Sequence, residues 1–234
     1  MYKFKPAHLW SVPGLIVVLP TVWFAMAYGG LPRLWSHHEH KLRAGRHAEI
    51  ASFTSQGIPA DPVNLELHGD AAALGCAFAR AGWAQADPVS VWSGLKIGVS
   101  VVLFQPYRQA PVSPLYVQDK AQDVAFQIDE GRSADKRHHV RFWQVRPNDW
   151  LGAATFDRGV GFSLFTLQIT HHIGWDVDAE RERVSALVLA SGGKVSGTIP
   201  SGIPGDRWHR NGGGDKFRTD GVIRVLDLGP CVRG

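Results

Sequence analysis

Only two of the 234 residues are cysteine, Cys76 and Cys231. That number excludes a multi-bridge scaffold, so stability must come from a hydrophobic core. Cys76 lies in the alanine-rich string DAAALGCAFARAGW, where a buried free thiol is the expectation and a bridge to Cys231 the alternative. Runs rich in lysine and arginine are missing as well. The net charge of +4 and the isoelectric point near 9.2 are spread along the chain. This excludes a dedicated nucleic-acid footprint, yet suits an anionic headgroup or a phosphorylated ligand. Cysteine-based zinc patterns, HExxH, GxSxG and the P-loop string are all absent.

Charge of either sign is missing between Lys5 and Arg33. Within that gap Val12 to Tyr28 is almost wholly apolar. As a helix rising about 1.5 Å per residue, the stretch reaches across a hydrocarbon core of roughly 30 Å. Trp10, Tyr28 and Trp35 stand where interfacial aromatics belong. The sequence therefore predicts a single anchor contacting the bilayer through residues 9–32. A cleaved signal peptide is the rival reading, because Ala25-Met26-Ala27 imitates a small-x-small cleavage site. Counting positive charges leans towards a cytoplasmic C-terminal domain but leaves the side unresolved.

With 44% hydrophobic and 20% charged residues overall, the chain beyond the anchor reads as one ordinary globular domain. The expected division is an anchor over 1–34, a juxtamembrane segment over 35–55 and a domain over 56–234. His37, His38, His40 and His47 read as part of a solvated juxtamembrane helix, since no carboxylate or cysteine partner sits at a fixed offset. The string QGIPADP is a turn-rich entry. Val63 to Gly69 alternates as a strand, and Asp70 caps a helix that reaches about Gly82. Val91 to Phe104 fits either a helix or a buried strand. Later segments read mostly as strands: VAFQI, HHVRFWQV, WLGAATFDRGV, LFTLQITHHI and VIRVLDL. A helix begins at Asp176, with Val184, Leu187 and Val188 on one face and acidic residues in its first turn. Strands and at least two helices in no repeated βαβ order give an α+β class with one mixed or antiparallel sheet.

Chemistry gathers around His138-His139 and His171-His172. Strand neighbours face opposite ways, so each pair lends one histidine to a shared site. Alternation puts Val140 and Phe142 in the core, with His139 and Arg141 opposite. It likewise puts His171 on the apolar face, with Gln168, Thr170 and His172 on the polar one. Thr155 and Asp157 alternate against Ala154 and Phe156. If these strands are neighbours, one face collects His139, Arg141, Thr155, Asp157, Gln168, Thr170 and His172, and a one-residue register error would invert the choice. Arg141 and Arg158 would hold an anion, and His139 and His172 would act as general acid and base with Asp157 orienting one of them. Alternatively His139, His172 and Asp176 would bind a divalent metal such as zinc. The bland reading is a buried polar network.

The strings LPRLWSHHEH, QGIPADPVNLELHG, APVSPLYV with QDVAFQ, RHHVRFW, WLGAATFDRGV, ITHHI with DVDAERE, and NGGGDKF with TDG run in order from about residue 31 to 225. In these the chain resembles the LssY C-terminal domain family. The resemblance implies a companion of membrane proteins in a bacterial envelope or type I secretion setting, with a link to lipid-phosphate metabolism by association only. It implies no reaction. The expectation is a membrane-anchored domain that binds or hydrolyses a phosphorylated or lipid-derived ligand, with phosphoester hydrolysis the class if it is an enzyme. The other expectation is a non-catalytic, partner-binding accessory domain.

Overall fold

The computed structural model describes residues 11–43, 51–87, 113–131 and 136–231. The expectations for His47 and for Val91 to Phe104 fall outside these residues.

The first described element is one continuous helical run. It comprises α1 (Ser11–Ala25), a π-helical turn (Met26–Gly30) and α2 (Leu31–Arg43). Residues Gly14–Lys41 are long and apolar enough to cross a membrane. Pro20 removes one backbone donor inside α1, and the Thr21 hydroxyl donates back to the Val17 carbonyl at 2.8 Å. The charge-free sequence leaves most of α1 without a protein partner: Leu15 to Leu19 are all exposed. Ala27, by contrast, is fully buried.

The domain is built on a mixed sheet. Its strands are β3 (Leu65–His68), β4 (Ala84–Gln85), β7 (Val124–Asp129), β8 (Arg137–Arg146), β9 (Asp149–Phe162), β10 (Ile169–Ile173), β11 (Lys194–Pro200) and β14 (Val222–Asp227). The order is β11-β14-β3-β9-β8-β7-β4, with β10 paired to the far half of β9. Among the described strands of this sheet only β14 and β3 run parallel; the other pairs are antiparallel. Helices α3 (Ala71–Arg80) and α4 (Val177–Ala190) cover one face. Asp70 caps α3 by accepting from the Ala73 amide, and Asp176 caps α4 by accepting from Ala179. The core beneath them joins Leu65, Leu67, Phe78, Phe126, Val140, Phe142, Val184 and Val188. Their spacing is two along the strands and three to four along the helices, as two facing layers require.

A small sheet covers the opposite face, in the order β2 (Pro59–Pro62), β1 (Ala51–Phe53), β5 (Tyr116–Val117), β6 (Lys120–Ala121). A second apolar cluster lies under it, including Val63, Leu115, Trp143 and Ile223. Both faces of β8 are therefore buried. A two-stranded ribbon, β12 (His209–Arg210) with β13 (Lys216–Phe217), flanks β10.

Three sequence expectations change, and one strand is new. LFTLQITHHI does not form one strand: residues 163–168 make a turn, and β10 begins at Ile169. The turn-rich QGIPADP supplies β2, and the string KVSGTIP forms β11. Cys76 is no free thiol, for it is bridged to Cys231.

Candidate functional site

The sheet face beneath β2 carries the polar cluster. Alternation along β8 sends Arg137, His139 and Arg141 to that face, opposite Asp157, Thr155 and Ala153 of β9. All but Ala153 are polar, and all are buried. Asp61, the single acid of β2, reaches down to them.

The pairing is dense. Arg137 donates to Asp157 Oδ2 at 2.9 Å and to Gln127 Oε1 at 2.9 Å. Arg141 Nη1 donates to Asp61 Oδ2 and also to His139 Nε2. A guanidinium can only donate, so Nε2 of His139 must accept, and the neutral ring carries its proton on Nδ1. The Thr155 hydroxyl lies 3.0 Å from the same Nε2. Nδ1 sits 3.3 Å from Asp157 Oδ2 but is not aligned for a hydrogen bond. Arg141 Nε is likewise buried without a partner. Unmet buried donors of this kind are uncommon and expensive, at about 1–3 kcal/mol each.

Electrostatics follow from the pairs. Burial drives the Asp157 carboxyl upward, but His139 and Arg137 outweigh it and hold the group far below the usual carboxylate range. Asp61 is lowered in the same way, against burial, by Arg141 and then His139. Burial lowers Arg141, with Asp61 and Asp157 opposing. His171 is pushed down to about 4, chiefly by burial and also by the nearby arginines, with Asp157 opposing. At neutral pH the floor thus holds two cations, two anions and a neutral His171.

Above this floor is a cavity of about 350 Å³. Asp61, Arg137, His139, Arg141, Asp157 and His171 all line it. Its walls come from the β1–β2 turn, the β9–β10 turn, the Asn211 to Gly213 loop and Tyr28 of the π-helical turn. Gly212 fits there because a side chain would strike Ile58 and the Pro59 carbonyl.

Alternation points to His172 for the polar face, and the structure places His171 there. The cause is a bulge. Ile173 pairs with Asp157 while His172 pairs with Gly159, so Arg158 is an extra residue in β9. Gly159 takes φ +150°, and beyond it the faces exchange. His171 thereby shares the side of Asp157, and His172 turns to Asp215, 2.8 Å away. Arg158 joins the same carboxylate at 3.1 Å. Asp215 also accepts from the Ile173 amide and so pins β10 to the ribbon.

Of the expected residues, His139, Arg141, Thr155 and Asp157 are brought together. Gln168 and Thr170 line the cavity wall. Arg158 and His172 form a separate group, and Asp176 is spent on the α4 cap. The expected metal set of His139, His172 and Asp176 is therefore not assembled. Among the described residues no three His, Cys, Asp or Glu side chains form a metal-holding group. Sequence reasoning missed Arg137, Asp61, His171 and Asp215. Parity with His139 signals Arg137; Asp61 and Asp215 arrive through long-range contacts that local pattern does not carry.

A family model described as LssY C-terminus matches residues 46–223. No curated protein and no solved structure gives a match.

Proposed function

The chain belongs to the LssY C-terminal family, and we propose that its domain binds a phosphorylated lipid headgroup in the cavity beside the anchor helix. One observation carries the reading. The cavity is lined by Arg137, Arg141, His139 and His171, and its wall includes Tyr28 of the apolar helix. An anionic ligand with an apolar tail fits both features.

Binding fits better than hydrolysis. At about 4, His171 is a weak base and holds no proton to donate at neutral pH. His139 Nε2 is already occupied by Arg141 and Thr155. Because two carboxylates offset the two arginines, a bound phosphate would draw a proton onto the floor, and His171 is the group placed to take it.

The disulfide supports a domain on the oxidising side of the membrane, against the weak lean of the positive-charge count. Alkylating cellular thiols at lysis and running a non-reducing gel checks this: an oxidised species is expected, and free thiols would reverse the orientation.

Thermal unfolding of the full chain in detergent tests the ligand. Short-chain phosphatidic acid should raise the midpoint, and short-chain phosphatidylcholine should not. Inorganic phosphate acting equally well would make the ligand a free phosphate. His171→Gln should keep the fold and weaken the shift. If neither phosphate source moves the midpoint, the reading fails.

A further inference from the structure

The turn between β9 and β10 is unusually apolar for a surface loop. Val160, Phe162, Leu164, Leu167 and Ile169 are all exposed, with Leu164 at 65%. Isolated exposed leucines are ordinary, but a contiguous group at one hairpin tip marks a contact surface.

This tip lies against the anchor helix. The Trp23 ring meets Phe162 edge to face at 6.1 Å, and Trp35 stacks on Phe165 at 3.9 Å. Trp23 Nε1 also donates to the Leu167 carbonyl at 3.2 Å. The level of these contacts decides the matter. Trp23 lies eighteen residues after Lys5, the nearest charge on that side. The next charge is Arg33, ten residues and about 15 Å further on. Any span of roughly 30 Å placed between Lys5 and Arg33 includes Trp23, whereas Trp35 and the Phe165 stacked on it lie past Arg33 towards the interface.

A loop can enter hydrocarbon only if its backbone groups are satisfied inside the protein. Here they are. The amide of Ser163 donates to Gln168, that of Leu164 to Gly213 and that of Leu167 to Ser163. The Phe165 and Thr166 amides reach the Ser163 hydroxyl, and the Gln168 amide reaches Thr166 Oγ1. Ser163 and Thr166 are themselves buried. Every amide from 163 to 168 thus has an acceptor, behind an apolar exterior.

We propose that the β9–β10 tip is a membrane wedge, seated among acyl chains beside the anchor helix and carrying the cavity wall into the bilayer. The contact does not depend on what occupies the cavity, so it stands or falls apart from the headgroup reading.

An environment-sensitive fluorophore on Leu164→Cys tests it in the full chain. The native cysteines are joined and take no label. The probe is a vesicle of phosphatidylcholine with a minority of phosphatidylglycerol. Acyl-chain doxyl lipid should quench the label strongly, and aqueous iodide should not. A label on Lys194→Cys, at the remote edge strand, should show the reverse. Val160→Cys repeats the test if Leu164→Cys does not fold. Iodide quenching with no doxyl quenching at both tip positions would overturn the proposal and leave the tip to a protein partner.

Discussion

His171 is the residue on which the local chemistry turns. Its imidazole is held near 4 by burial among charges that already balance. In the unfolded chain it titrates near 6.5, so between the two values the unfolded state binds more protons. The stability that comes from keeping it neutral is complete above about pH 6.5 and is lost as pH falls towards 4. With allowance for solvent reaching the cavity, the loss is on the order of 2 kcal/mol. Asp157 and Asp61 act lower on the scale, because carboxylates held below their ordinary values lose their contribution only under stronger acid. Denaturation midpoints measured across this window should fall for the natural chain and stay flatter for His171→Gln. Equal slopes would mean that His171 is not the group being charged.

At the scale of elements, β9 sets which side chains meet. Along Asp149 to Asp157 the alternation of the string is kept, which is why His139, Arg141, Thr155 and Asp157 were legible as one face. The extra residue at Arg158 is a backbone event with a single local mark, the glycine at 159, and it reverses every side chain after it. A substituted Cβ at Gly159 would meet nothing within 4 Å, whereas its φ of +150° is costly for any other residue. Gly159→Val should therefore destabilise by about 1–3 kcal/mol. Gly75→Ala, in helix α3 with open space around it, should be neutral or stabilising. Matching losses at both sites would refute the bulge account. Caps were legible because their partners are three residues away, as at Asp70 and Ala73. Asp61, which meets Arg141 across eighty positions, leaves no such trace.

For the whole molecule, the proposed membrane contacts adjoin one another. An apolar helix, an apolar hairpin tip and a cavity with a charged floor lie on one side of the fold, with Tyr28 belonging to both helix and cavity. The Cys76–Cys231 bridge ties α3 to the segment after β14. Breaking it should cost about 2–5 kcal/mol. Most of this architecture was readable from the chain, since the long uncharged run and the strand alternation each reflect one physical demand. The cavity was not, because it is formed by turns and by the helix meeting the sheet edge. The most direct measurement is native mass spectrometry of the full chain released gently from its own membrane. The account predicts a co-purified phosphorylated lipid that is lost or strongly reduced in His171→Gln with the fold intact. A chain that carries no lipid, or carries it unchanged in that variant, would contradict it.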